Sequence, residues 1–276
     1  MFLFKRPTHQ LFTLALVWIL GVLPLMAQQQ PAVDQEALRK AAQNPIADLI
    51  SVPFQDNWNF NIDPYNRTQN VLNIQPVVPV SLGQNWNLIV RWIAPVVFQP
   101  DVSTTDLGFY GLSDMNPSFF FSPKKGKVTW GLGPTFVLPT AMNTEKLGQG
   151  KWSMGPTGVL MVQPGKWTIG VLANNIWSVG GHKDRAEVNQ MLFQYFINYN
   201  LKHGYYLTTS PINTFDWEAP EGSKSVIPVG GGIGRIMKLG PQHVNVSVQG
   251  FGNVEHPPGG ATWTLRVFFA FLYPKG

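Results

Sequence analysis

Arg91 and Arg266 lie within NWNLIVRWIAPVVF (85–98) and TWTLRVFFAFLY (262–273), stretches that are otherwise almost entirely apolar. A guanidinium stays charged and presents a planar fork of donors, so in such surroundings it needs water or an acceptor. Asp114 and Asp216 are acids in comparable settings. Gln190, Gln194 and Asn198 recur at even positions of VNQMLFQYFINYN (188–200), and Asn245 and Gln249 at odd positions of HVNVSVQGF (243–251). Charges and amides in this arrangement suit a selectivity lining around a narrow passage. The same groups also suit ion pairs and amide networks that fill an interior and hold it rigid.

Reaction chemistry finds less support. His182, His203, His243 and His256 are far apart, with no HxH or HExxH pairing, so no metal site is expected. No GxSxG occurs, and His243 beside a turn is a poor base, so the chain is expected not to be an enzyme. GGGIG (230–234) has the glycines of a phosphate cradle, but Arg235 and Ile236 continue a strand where a helix is required. Crowded backbone or a bulge is expected there instead. The absence of Cys excludes disulfides and thiolate metal sites. No cofactor is expected. Lys and Arg form no run longer than that in PKKGK (123–127), so nucleic acid is not an expected partner.

The elements that carry these residues look membrane-bound. Charged residues make up 13% of the 276, about half the ~25% usual in soluble domains. Aromatics are equally frequent, with ten Trp, as expected of a surface that does not all face water. Lys5 and Arg6, the apolar run 11–25 and Ala27 form a secretory signal peptide with cleavage expected after Ala27. Its loss lowers the formal charge of +5 by two units, to a mild +3. Residues 28–48 contain helix formers with little apolar face and read as a short periplasmic helix or solvated tail.

From residue 49 the apolar period becomes two. About twelve two-faced runs follow, with cores at 52–62, 69–81, 85–98, 112–121, 127–139, 151–162, 166–178, 188–200, 204–217, 225–237, 242–252 and 262–273. Their length suits tilted membrane-spanning strands. Short turns such as QPGK (163–166) alternate with longer polar stretches such as QPDVSTTDLGFYG (99–111), the rhythm of an outer-membrane barrel. Trp58, Trp86, Trp130, Trp152, Trp167, Trp177, Trp217, Trp263 and Tyr273 fall near strand ends, where aromatic girdles meet the membrane interfaces. The expected fold is all-β: one up-and-down antiparallel transmembrane barrel spanning 49–276. On this parity Arg91 and Arg266 point into the lumen, since Arg on the lipid face near mid-membrane costs about 2–4 kcal/mol. Asp216 is placed in the same interior and Asp114 at a mouth. Ile93, Leu192, Phe196 and Phe268 make that interior bulky, favouring a plugged barrel or a route for small, partly apolar solutes.

Several stretches carry a family resemblance. NIQPVVPVSLGQNWNLIVRWIAPVVFQP (73–100), LSDMNPSFFFSPKK (112–125), WGLGPTFVLPTA (130–141) and GQGKWSMGPTGVL (148–160) are among those similar to bacterial outer-membrane barrels grouped as a meta-pathway phenol-degradation family. Its members are commonly labelled only "transporter", and some carry the misleading name "neuromedin U". The resemblance spans about residues 44–275. It implies an outer-membrane barrel in a Gram-negative cell that passes small, aromatic or hydrophobic molecules, and it supplies no catalytic residues. Expected partners are outer-membrane lipid, a small-molecule solute and the barrel-assembly machinery. The chain continues with PKG past the aromatic Tyr273, a departure from barrels whose terminal aromatic that machinery reads. A structural or surface-interaction barrel with a closed lumen is the alternative, and a secreted β-sandwich binding protein a more distant one.

Prolines oppose the strand reading at first sight. Pro76, Pro95, Pro134 and Pro156 interrupt runs that otherwise look like strands, and proline has no N–H for a ladder. They are expected at bulges or breaks, with Gly131, Gly133 and Gly155 absorbing the bend.

Overall fold

In the computed structural model, residues 35–103 and 108–274 are described. The expected signal peptide with its cleavage point, the start of the lead, residues 104–107 and the last two residues lie outside the described residues. Helix α1 (Gln35–Ala42) is followed by β1 (Ile50–Ile62), β2 (Arg67–Ile74), β3 (Val77–Leu82), β4 (Trp86–Gln99), β5 (Phe109–Leu112), β6 (Asn116–Pro123) and β7 (Thr129–Val137). After a short helix α2 (Thr144–Leu147) come β8 (Lys151–Val162), β9 (Trp167–Gly181), β10 (Asn189–Asn200), β11 (Tyr205–Thr209), β12 (Ile212–Asp216), β13 (Ser225–Leu239), β14 (Gln242–Glu255) and β15 (Trp263–Tyr273). The pairs β2–β3, β5–β6 and β11–β12 are each one crossing in two pieces, so the wall has twelve crossings. All pair antiparallel, and β1 pairs β15 from Ile50↔Tyr273 to Phe60↔Trp263, which closes the ring. The closed ring sets aside the β-sandwich.

The alternation of side chains sorts the two faces. Leu132, Leu160, Val229, Ile233 and Val248 stand exposed on the outside, a surface for which hydrocarbon is the matching solvent. Aromatics gather near the strand ends. Trp86 meets Trp130 edge-to-face and Trp167 lies against Tyr199 at the short-turn end. Phe60 stacks on Trp263 and Phe215 on Trp217 at the long-loop end. The expected 99–111 loop is shorter than its polar sequence implies: Phe109–Leu112 pairs with β4 from Val96↔Leu112 to Gln99↔Phe109, extending that edge of the wall.

The prolines divide into three kinds. Pro76 and Pro211 fall between the halves of broken crossings, and Pro228 at the register shift after Ile227. Pro79, Pro95 and Pro117 keep register with Ile89, Asn73 and Trp92. Pro134 and Pro156 face each other across β7 and β8, whose register runs unbroken from Thr129↔Met161 to Val137↔Ser153. The ladder lapses on the far side of each proline. β6 and β7 pair at Ser118↔Thr135 and Phe121↔Leu132, with nothing between them. β8 and β9 pair at Met154↔Trp177 and Thr157↔Asn174, again with a gap. Register is preserved across both gaps, so of the expected bulge or break it is a break, on one side only, that occurs. An antiparallel residue directs its N–H to one neighbour only, so each proline disturbs one ladder and spares the other.

The glycine before each proline has a steric reason. A Cβ at Gly133 would stand 1.9 Å from Phe119 O, and one at Gly155 1.7 Å from Asn175 O. By contrast, a Cβ at Gly250 would meet nothing within 4 Å. Gly133→Ala and Gly155→Ala should each destabilise the barrel by about 1–3 kcal/mol through overpacking. Gly250→Ala should stay within about 0.5 kcal/mol of the parent. Urea unfolding in detergent, read as the shift between heat-modifiable gel bands, checks all three.

Candidate functional site

From Leu38 onward the described part of the N-terminal lead packs largely against the barrel and is not a solvated tail. Leu38, Ile46, Ala47 and Leu49 are all buried, and residues 43–49 occupy the lumen at its short-turn end. Gln43 is the fastening point. Its Nε2 donates to Asn200 Oδ1 at 2.8 Å, and its Oε1 accepts from Thr168 Oγ1 at 2.8 Å. Gln163 Nε2 also donates to Lys40 O at 2.9 Å. Asn44 Oδ1 accepts from Ile46 N and turns the chain inward. The expectation of a solvated tail fails because the lead's apolar residues straddle a short helix and an extended segment, so no single helical stripe reveals them.

The lumen has two unlike halves. Ile46 packs against Val77, Ile89, Phe120, Val159 and Leu172 on β3, β4, β6, β8 and β9, with Leu192 beside them. Burial of such an isoleucine contributes about 1.5–3 kcal/mol. The opposite wall, from β10 round to β1, is mixed: Gln55, Asn198, Thr208, Asn245, Ser247 and Gln249 are all buried there, beside Phe196, Ala270 and Leu272. Between residues 41–49 and that wall lies a cavity of about 190 Å³.

Glycines keep this space open. Phe196 pairs with Gly170 across β10 and β9, where a Cβ would meet the ring at 2.4 Å. Tyr206 pairs with Gly234, where a Cβ would meet its ring at 2.2 Å. The Tyr206 ring therefore crosses β13 over bare backbone, and its hydroxyl donates to Asn245 Oδ1 on β14 at 2.7 Å. This explains part of GGGIG: Gly230 and Gly232 lie close to the backbone of β14, and Gly234 admits a ring.

Arg91, Gln194, Asn198, Asn245 and Gln249 all line the cavity. Arg91 Nη2 donates to Gln75 Oε1 at 2.7 Å. Gln194 Nε2 reaches Ser210 O at 3.3 Å, and Gln249 Oε1 accepts from Ser210 Oγ at 2.9 Å. Arg266, 5% exposed, lies within the wall network: Nε donates to Asn57 Oδ1 at 2.8 Å, Nη1 to Ser210 O at 2.7 Å, and the guanidinium lies over the Phe251 ring. The break at Pro211 thus turns a ladder carbonyl inward, where two side chains satisfy it.

The remaining candidates gather at the long-loop end. Gln190 accepts from Gln149 Nε2 at 2.7 Å and donates to Asp216 Oδ2 at 3.0 Å. Asp114 is turned to the backbone, accepting from Ala141 N at 3.0 Å and Gln149 N at 2.7 Å, so it ties down the loop between β7 and β8. Arg185 donates to Gly148 O and Gln149 O from the next loop. Lys151 Nζ meets Glu187 Oε1 at 2.7 Å, and Ser178 Oγ donates to Glu187 Oε2. These hydrogen bonds, that from Lys151 first, hold the Glu187 carboxyl below its ordinary value of 4.5. Gln43, Ile46, Gln55, Gln75, Tyr206 and Ser210 were not among the expected site residues. The one sequence signal bears on Tyr206 alone: Gly234, within GGGIG, leaves room for a large side chain laid across that strand.

No family model matches the chain, and no curated protein matches its sequence. Among solved structures, an outer membrane channel from Pseudomonas putida F1 is similar with a TM-score of 0.60 at 13% identity, over 82% of this chain and 94% of that one. Outer membrane phospholipase A from Escherichia coli aligns over 83% of this chain and 97% of its own, at 13% identity and a TM-score of 0.40. The phospholipase dimer of Salmonella typhi with bound calcium aligns over 87% and 96%, at 13% identity and a TM-score of 0.43. At these identities the likeness is one of fold. The phenol-degradation resemblance has no family model behind it; the barrel architecture it implied is the part that stands. The expectation that the chain is not an enzyme is corrected: the neighbouring barrels include an enzyme, so a non-catalytic role does not follow from the fold.

Two outcomes are expected from this geometry. Arg266→Met removes the donors serving Asn57 Oδ1 and Ser210 O and should lower stability by about 1–3 kcal/mol, read as a fall in the urea midpoint in detergent. Arg266→Lys should recover only part, because it lacks the guanidinium fork. For Glu187, a folded value below the ordinary one means its stabilising contribution is complete above that ordinary value and lost as pH falls through the depressed one. Amide protection factors across residues 182–188 should therefore fall as the pH drops below 4.5 in the parent, and already be low at neutral pH in Glu187→Gln.

Proposed function

We propose that this chain is an outer-membrane channel for small solutes. In this reading the 1–27 signal is cleaved after Ala27 on export, residues 28–48 are a periplasmic lead, and the assembly machinery inserts 49–276 as the barrel. The observation that carries the proposal is an apolar, girdled exterior around a lumen whose cavity is lined by both amides and apolar side chains. Its fold-level likeness to a bacterial channel supports the same reading. The half-apolar lumen suits small, partly apolar passengers, including the aromatic molecules that the phenol-degradation resemblance implies. Arg91, Gln194, Asn198, Asn245 and Gln249 line the path, Gln190, Asp216 and Asp114 shape its loop end, and Arg266 holds the wall.

The presence of residues 43–49 in the lumen favours a second reading, a structural or surface-interaction barrel that stays closed. Planar-bilayer recordings of the mature chain, and of a variant lacking residues 28–48, separate the two. A channel should show small conductance that rises several-fold in the truncated form, with heat-modifiable migration confirming that the barrel is intact. Silence from both folded proteins would support the closed barrel. Proteoliposome uptake compared across aromatic acids, sugars and fatty acids then identifies the solute class.

A further inference from the structure

The cavity beside residues 41–49 has one buried donor without an acceptor on its wall and one guanidinium without a counter-charge. Arg91 has Gln75 Oε1 as its hydrogen-bond partner, and among the described residues it forms no ion pair with a carboxylate. Gln55, 8% exposed and on the same cavity wall, has an Nε2 that is buried without any partner. The two lie near one another in the fold. Gln75 pairs beside Pro53 through Gln75 N to Pro53 O at 2.8 Å, and Gln55 is the next inward residue of β1. A buried donor left unmade costs the desolvation of that group, so native interiors seldom leave one without a role. Leu172 and Phe196, and Phe268 beside Gln55 on β15, offer apolar surface to the same cavity.

We infer that this cavity is a binding site for a small carboxylate with a compact apolar body. The proposal rests on the reading of the lumen as a solute path and specifies what that path holds. The carboxylate oxygens accept from the Arg91 guanidinium and, once the Gln55 amide turns from the wall toward the cavity, from Gln55 Nε2, and the apolar body lies against Phe196, Leu172 and Phe268. The volume of about 190 Å³ suits a ligand of roughly one ring or a short chain. A neutral alcohol of the same shape would fill the apolar part and leave the guanidinium without its counter-charge. Phosphate would engage the guanidinium but gain nothing from the rings.

Calorimetric titration of the full mature chain in detergent tests the site with benzoate, benzyl alcohol and inorganic phosphate. Benzoate should bind saturably at one per chain, and at least tenfold more tightly than either other probe. Arg91→Met should weaken benzoate at least tenfold, and Gln55→Leu several-fold, while both variants keep heat-modifiable migration. If Arg91→Met fails to fold, Arg91→Lys and Gln55→Leu replace it, each expected to weaken benzoate several-fold. Equal binding of benzoate and benzyl alcohol, equal binding of phosphate, or unchanged benzoate affinity in the folded variants would overturn the proposal. Binding in detergent needs no permeation. A conducting barrel that ignores benzoate refutes the site and leaves the channel standing, and a benzoate-binding barrel that never conducts does the reverse.

Discussion

Hydrocarbon offers no hydrogen bonds, and the wall of this protein is arranged around that constraint. A backbone group left unpaired in lipid costs several kcal/mol, so a strand wall must close on itself. The pairing of β1 with β15 achieves this. Each departure from the ladder is then confined or repaired. The Pro134–Pro156 pair loses bonding on outer sides only, and Ser210 O, freed at the Pro211 break, is recovered by Arg266 and Gln194 inside. Irregularity is therefore admitted where the lumen or a glycine-lined contact absorbs it.

The same closure creates a packing problem indoors. Twelve strands enclose a lumen too narrow for a wide aqueous pore yet too large to leave empty. One half is filled as a soluble core would be, with Ile46 as the central apolar residue. The other half is built of amides and hydroxyls bonded to one another, with rings laid flat over Gly170 and Gly234. The lead belongs to the interior as much as the strands do, because without it the apolar half would face water.

The wall was legible in the sequence because lipid outside and amides inside impose a strict period of two, and Gln190, Gln194 and Asn198 on one side of Met191, Phe193 and Tyr195 display it plainly. The twelve crossings and the inward parity of Arg91 and Arg266 follow from that pattern alone. Other features depend on contacts that no local pattern records. Gln43 meets Asn200 across 157 residues, and Asp114 serves a loop 27 to 35 residues away and does not line the cavity. The placement of Pro134 against Pro156 needs the register between two strands, which neither strand specifies by itself. The non-enzymatic expectation rested on missing motifs, and short motifs are a poor guide where catalytic groups come from separate strands.

The direct continuity of residues 43–49 with β1 has a consequence for how the molecule is made. β1 is the first strand synthesised and its partner β15 is the last, so the seam joins residues more than 200 positions apart. The enclosed space that receives Ile46 therefore does not exist until the chain is complete. Loop closure grows costlier only slowly with length, by about 0.6 kcal/mol per doubling, so the long wait is kinetic more than energetic. Throughout it, the stretch that ends inside the lumen is tethered at the mouth of the closing ring, already beside the opening it fills.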